Sequence, residues 1–239
     1  MNIQNLIKME ITEISLGNLC IEKLLNGGFK SGKFYHIFGK DGSGKTTICL
    51  QLATLVAKNG YKSLYIDTSH KFNIIRLKQI SGDIYEKISK LIFVQTPKNF
   101  IKQDKIVNKL ENYITDRFKF IVIDDIASLS REGTRFRSKP FLVKRMVSRQ
   151  LAILKYIGNS HNLIVLITNQ SSTYTDENTK NRKTHPYLQS ATTFYSDYDL
   201  EIRIPSSSKL SDRKMIKIKP SDKSTDRICK FKLKNNGIE

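Results

Sequence analysis

The chain has 239 residues and carries 41 lysines and arginines against 22 aspartates and glutamates, a formal net charge of +19. That length suits one α/β domain with a sizeable core. The positive excess attracts polyanions such as nucleic acid, although a lysine-rich solvated surface has the same composition. No apolar run approaches the ~18 residues that a membrane span needs, and the N-terminus lacks a signal-peptide core, so a cytoplasmic protein with no membrane partner is expected.

Short β-rich apolar runs alternate with helical stretches along the chain, the pattern of a sheet with crossover helices. A first strand is expected at 34–38. It runs into Gly39, Lys40, Asp41, Gly42, Ser43, Gly44, Lys45 and Thr46, a full match to G-x-x-x-x-G-K-[ST], and a helix over 45–59 follows. A strand at 63–67, a helix at 72–79, a strand at 91–95 and a helix at 105–116 come next. The run 120–124 reads as a strand buried on both faces that ends on Asp124. A helix over 141–160 follows, with Leu142, Met146, Ile153 and Ile157 at intervals suiting one buried face. Strands are expected at 163–168 and 199–204.

The tail alternates apolar residues with lysine over 215–219 and 228–234, around a turn-rich stretch at 220–226, and so reads as a hairpin. Its expected inner face is Ile216, Ile218, Cys229, Phe231 and Leu233, which puts Lys217, Lys219, Lys230, Lys232 and Lys234 outside. Such a face either blocks edge pairing or contacts DNA. Cys20, Cys49 and Cys229 stand far apart without a C-x-x-C pair, so neither a disulfide framework nor a zinc site is expected, and each reads as a small buried apolar residue. The organisation is α/β in a single domain: a lead-in at 1–33, a core at 34–204 with a mostly parallel twisted sheet and flanking helices, and a basic C-terminal β-hairpin at 205–239.

The glycine-rich motif follows a strand and opens a helix, the context in which its backbone N–H groups turn inward around phosphates. Residues 39–46, with Thr47 beside them, therefore form the candidate nucleotide site. Lys45 bridges the β- and γ-phosphates, and the Thr46 hydroxyl sits on Mg²⁺. Asp124 ends an apolar strand at the spacing of a Walker B carboxylate and is the second candidate metal ligand. The expected cofactors are ATP and Mg²⁺.

Other residues point to a family. Tyr65, Ile66, Asp67 and Thr68, with Phe72, Arg76 and Leu77, resemble the segment after the second core strand of the RecA/RadA recombinases. Arg149, Gln150 and Leu151, then Leu166, Ile167, Thr168, Asn169 and Gln170, resemble that family's helix and third motif. The lead-in through 15–17 and 22–28 and the closing Phe231, Lys232, Leu233, Gly237 and Ile238 are similar as well. The resemblance covers nearly the whole chain and implies a RecA-like P-loop core. The helix–hairpin–helix domain that precedes the core in full-length RadA recombinases has no counterpart, so the archaeal RadB branch is the better likeness, with single-domain KaiC-like ATPases as rivals. In the family, the glutamine at Gln170 senses the γ-phosphate and relays its presence to a DNA-binding loop; here that loop would span 171–184 with Lys180, Arg182 and Lys183. A first loop at 130–139 carries Arg131, Arg135, Arg137 and Lys139. The two basic loops make a candidate surface for single-stranded DNA.

Two departures matter. The family's catalytic glutamate position is Ser69, and a serine hydroxyl is too weak a base to polarise the attacking water; Asp67 and Asp125 are the available substitutes. Where recombinases carry a glycine pair after the second loop, this chain has Leu188 and Gln189, which would forfeit a backbone bend. Lys219 stands where related ATPases place a basic residue that can reach a neighbour's nucleotide, but it reads more readily as an exposed hairpin lysine. The resemblance implies a recombinase paralog that binds ATP and DNA, hydrolyses slowly, and assists homologous recombination and DNA repair, with recombination proteins or a second copy as further partners. A filament-forming strand-exchange recombinase with robust ATPase and a nucleotide-gated protein-interaction module without a DNA role remain the alternatives.

Overall fold

The computed structural model describes residues 11–132, 139–175, 182–205, 211–220 and 227–239. The first half of the chain forms β1 (Glu13–Ile14), α1 (Leu19–Leu25), β2 (Phe29–Lys30), β3 (Phe34–Gly39), α2 (Lys45–Lys58), β4 (Lys62–Asp67), α3 (Ile74–Ser81), α4 (Tyr85–Ser89), β5 (Ile92–Gln95) and α5 (Phe100–Asn108). The second half forms β6 (Phe118–Asp124), α6 (Ser128–Glu132), α7 (Pro140–Ser160), β7 (Ile164–Thr175), β8 (Arg182–Pro186), α8 (Gln189–Tyr195), β9 (Tyr198–Arg203), β10 (Asp212–Lys219), β11 (Ile228–Lys234) and β12 (Gly237–Ile238).

The main sheet runs β12-β11-β10-β9-β3-β7-β6-β4-β5, with β8 paired to β7. Its part from β9 to β5 is parallel throughout, and β10, β11 and β12 add antiparallel strands beside β9. β6 shows why these strands lie centrally. All seven of its residues are buried, Phe120 and Val122 joining the core with α2, and Ile121 and Ile123 joining the core with α7. Each such side chain contributes roughly 1.5–3 kcal/mol of burial. Among the described residues no helix is long and apolar enough to cross a membrane.

Several expectations shift. The helix expected at 105–116 begins five residues earlier, because the Asn99 side chain accepts the Lys102 N–H at 2.9 Å and caps it there. It gives way to a short 3₁₀ turn at Leu110–Asn112. The buried seam of α7 is Val143, Val147, Leu151, Leu154 and Ile157; Leu142 is exposed, and Met146 and Ile153 lie at its margin. The stretch after Gln170 continues as strand to Thr175 and returns as β8, antiparallel, where a loop was expected.

The C-terminal hairpin forms, but β10 has the opposite facing. Met215 pairs with Cys229 and Arg213 with Phe231, and directly paired residues of an antiparallel ladder share a face. With Cys229 and Phe231 buried as expected, Arg213, Met215 and Lys217 must turn inward too, and they do, whereas Ile218 is 42% exposed. Ile216 is half-buried on the outer face. Lys214 therefore joins Lys230, Lys232 and Lys234 there. A register shift between Lys217 and Lys219 breaks the alternation, and Lys219 is neither free nor aimed outward: its Nζ donates to Thr193 O at 2.7 Å and Ser196 O at 2.6 Å, closing the end of α8. Cys20 and Cys229, with Cα atoms 5.5 Å apart, are joined as a disulfide between α1 and β11, against the sequence expectation; only Cys49 is the buried free thiol foreseen. Folding placed side by side two cysteines whose 209-residue separation concealed their proximity.

Candidate nucleotide site

In open α/β sheets ligands bind at the carboxyl ends of the parallel strands. Here β3, β6 and β7 bring Gly39, Asp124 and Gln170 to that edge, and parallel pairing sets Gly39 opposite Gln170. A cavity of about 370 Å³ opens there, lined by Asp41 to Thr47, Ser69, Lys71, Asp124, Asp125, Ser128, Arg131, Gln170 and Leu233. A larger hollow of about 960 Å³ at the β5 edge, floored by Leu64, Phe93 and Ile106, holds none of the motif residues. The chemistry, not the volume, selects the smaller cavity.

Two glycines of the loop are required by space. A side chain on Gly39 would overlap the Ile202 carbonyl, and Gly44, at φ +102°, would set a Cβ 2.8 Å from Leu233. Lys45 opens α2 and is 9% exposed, its Nζ donating to Gly39 O and Lys40 O, both at 2.9 Å. Burial pushes its ammonium pKa down, against the pull of Asp124, Asp125 and Asp41. A desolvated cation held on two carbonyls gains when an anion replaces them. Ser43 Oγ, also on the cavity lining, is buried without a hydrogen-bond partner among the described residues.

Asp124 collects three hydroxyl donors: Thr46 Oγ1 and Tyr65 OH at 2.7 Å on Oδ2, and Thr168 Oγ1 on Oδ1. Burial and the adjacent Asp124 keep the Tyr65 phenol protonated by raising its pKa. The hydroxyl of Thr46 and the carboxylate of Asp124 are thus already side by side, a pair of hard oxygens of the kind Mg²⁺ takes. The residues fit ATP with Mg²⁺.

Asp125, joined to Asp124 by a cis peptide, has a different task. Its Oδ1 accepts the N–H groups of Ala127 at 2.7 Å and Ser128 at 2.9 Å; its Oδ2 accepts Arg131 Nη2 at 2.9 Å and Gln170 N–H at 3.1 Å. A carboxylate has about four acceptor sites, and all are engaged. Burial raises the pKa of this carboxyl, while Arg131 and the Ala127 N–H pull it back. Arg131 also lies 5.8 Å over the Tyr187 ring, and the Tyr187 N–H reaches Gln170 O at 3.4 Å. A closed ring through Asp125, Arg131, Tyr187 and Gln170 therefore ties the stems of both basic segments to one carboxylate beside the cavity.

Of the candidate DNA residues, Arg131 is turned toward the cavity; Arg135, Arg137 and Lys180 lie outside the described residues, and Arg182 and Lys183 stand on the β8 backbone. Asp67 does not line the cavity. Its oxygens accept the N–H groups of Lys71 at 3.1 Å and Phe72 at 2.9 Å and so hold the turn after β4. Ser69 does line it, with Oγ 3.2 Å from Asp124 O. At the position of the expected glycine pair, Leu188 takes φ 55° and ψ 35° at the start of α8, a left-handed conformation costing roughly 1–2 kcal/mol for a non-glycine residue. Sequence reading missed Tyr65 and Thr168 as partners of Asp124, although polar groups toward the ends of buried strands were a usable signal. It also missed Leu233 as a cavity wall, for which nothing local gave a sign.

A sequence model of the Rad51 family matches residues 7–239. The protein named DNA repair and recombination protein RadB of Methanococcoides burtonii is 35% identical over 150 residues, 63% of this chain and 66% of that protein. Its namesake in Methanobrevibacter smithii is 35% identical over 165 residues, 67% of this chain and 69% of that protein. These matches span about two thirds of each relative's length. A solved structure described as the crystal structure of the RadB recombinase superposes with a TM-score of 0.77 at 25% identity, covering 94% of this chain and 97% of that one.

Proposed function

The chain belongs to the Rad51 family, within the RecA/RadA superfamily and on its RadB side, and from that premise we propose that it is an ATP–Mg²⁺- and DNA-binding recombinase paralog that assists homologous recombination and repair while hydrolysing ATP slowly. The observation that carries this reading is the gathering of Lys45, Thr46, Asp124 and Gln170 on one cavity in which Asp124 and Asp125 are both engaged by several donors. Lys45 and the loop amides would hold the phosphates, and Thr46 with Asp124 would hold the metal, which would supply charge neutralisation at the phosphates. The Gln170 side chain reaches the γ-phosphate only while that phosphate is present.

The slow turnover follows from hydrogen-bond capacity. Ser69 is a poor base, Asp125 has no acceptor site left for a water, and Asp67 lies outside the cavity lining, where it holds the Lys71 and Phe72 N–H groups. What remains is a sensor. A change at Gln170 or Arg131 passes through Asp125 to both basic segments, which favour single-stranded DNA. The serine at position 69 and the absence of a glycine pair at Leu188 and Gln189 count against a filament-forming recombinase.

The test is single-stranded DNA affinity across a salt series, with and without ATP–Mg²⁺, alongside ATP turnover. A steep salt slope, which reports phosphate contacts, together with an ATP-dependent shift and slow turnover supports the paralog. Undetectable DNA binding at low salt sinks the DNA role and favours a nucleotide-gated protein-interaction module. Turnover matching an active recombinase and abolished by Asp67→Ala overturns the account of Ser69.

A further inference from the structure

Among the described residues Lys119, Arg213 and Lys217 are buried cations outside the ATP-binding motifs, and Arg213 is the one whose guanidinium meets the phosphate loop. Arg213 lies on β10, is 6% exposed, and reaches the phosphate loop from the other end of the chain. Its Nε donates to Ser43 O at 3.0 Å and its Nη2 to Gly42 O at 2.9 Å, while Nη1 holds its own strand through Asp212 O at 2.7 Å. We propose that Arg213 is a positioning residue for phosphate binding: it presets two peptide planes of the loop, one closing the turn through the Ser43 N–H and the other directing the polarised Gly44 N–H toward an anion. The inference rests on the reading of residues 39–46 as an ATP site.

The geometry gives the reason. In a trans peptide the C=O of one residue and the N–H of the next point in opposite directions. Holding the carbonyls of Gly42 and Ser43 against the guanidinium therefore turns the N–H groups of Ser43 and Gly44 away from it. The Ser43 N–H closes a turn on Lys40 O at 3.2 Å, and the Gly44 amide begins α2 at the cavity. Gly42 at φ +72° and Gly44 at φ +102° make this the most permissive stretch of the loop, so an outside clamp has most to do here.

A planar fork can serve two adjacent carbonyls at once, which a single lysine ammonium cannot do with the same rigidity. Charge-assisted bonds to a carbonyl also strengthen the N–H at the far end of the same peptide. The hairpin that carries Arg213 also supplies Leu233, the cavity wall packed against Gly44, so the clamp and the wall move as one body.

The experiment measures ATP–Mg²⁺ and ADP–Mg²⁺ dissociation constants by calorimetry for the full chain, Arg213→Ala and Arg213→Lys. Thermal midpoints without nucleotide are recorded in parallel, and Arg213→Ala is repeated with about 10 mM guanidinium chloride. Arg213→Ala is expected to weaken both nucleotides by roughly ten- to a hundredfold, the loss of two charge-assisted hydrogen bonds. Added guanidinium should recover much of that loss, and Arg213→Lys should fall between. If the unmodified chain binds no ATP, the nucleotide reading fails, and this inference with it. If it binds ATP and Arg213→Ala binds within about twofold, the nucleotide reading stands and the clamp is refuted. A loss that guanidinium leaves untouched makes Arg213 a packing residue and also refutes it. Should Arg213→Ala not fold, Arg213→Lys decides: weaker binding supports the clamp, and unchanged binding overturns it.

Discussion

The nucleotide cavity has two walls of different origin. One is built from residues 39–46 and Asp124, on the ends of parallel strands buried on both faces. The other comes from the C-terminal hairpin, where Arg213 meets Ser43 from 170 positions away and Leu233 packs on Gly44. The first wall must present particular atoms to phosphate and metal, so its residue types are dictated by the ligand. The second supports the first from behind, and many sequences can do that by shape. Affinity for phosphate should therefore reside in the first wall, and its rigidity in the contact between the two.

Lys45→Ala probes the first wall alone and should have the largest effect. Loss of the desolvated ammonium is expected to weaken ATP binding on the order of a thousandfold, with little change in the melting temperature of the nucleotide-free protein. A loss below tenfold in calorimetry would shift phosphate recognition onto the backbone and blur the contrast between the walls.

Asp125→Ala strips the acceptor from four donors and should destabilise the protein by about 3 kcal/mol, read from urea unfolding. The milder Asp125→Asn should keep the fold while removing the response of DNA affinity to ATP. Retention of that response would show that the ring through Arg131, Tyr187 and Gln170 carries no signal.

The second wall is probed by reducing the Cys20–Cys229 bridge. Opening a bridge that closes so long a loop should cost roughly 3–4 kcal/mol, the upper part of the usual range, lowering the melting temperature while leaving ATP affinity within a few-fold. A large loss of ATP binding on reduction would mean that the hairpin takes a more direct part than support. The smallest and most pointed probe is Gly44→Ala, expected to cost roughly 1–2 kcal/mol through its left-handed backbone and its contact with Leu233. Adding Leu233→Ala should return the part due to contact; a double variant no better than Gly44→Ala would assign the whole cost to the backbone.

The first wall was legible because its information is local. A glycine-rich loop between a strand and a helix, and a carboxylate after four apolar residues, each declare their chemistry within a few positions. The second wall was not. In β10, Met215 and Ile216 are adjacent apolar residues inside a run of lysines; the phase that buries Ile216 and Ile218 fits the apolar pattern better, and it was nevertheless the wrong one. Only pairing with Cys229 and Phe231 selects the other, and it buries a charged residue, Arg213, that no periodicity argument would place inside. The α5 helix was misplaced for a smaller reason of the same kind: the Asn99 cap outweighed the apolar spacing farther along.

By itself, then, the sequence determined the parallel core and the glycine-rich loop between its strand and helix, and it marked Asp124 as a candidate metal ligand, because strand burial and phosphate chemistry act over short distances along the chain; the weight given to Ser69 came from the family resemblance. Tertiary structure alone decided that Asp125 is saturated, that Arg131 turns toward the nucleotide cavity, that Cys20 meets Cys229, and that Arg213 backs the phosphate loop. Each of those depends on which donor meets which acceptor after distant strands have paired, and a linear pattern carries no record of that register.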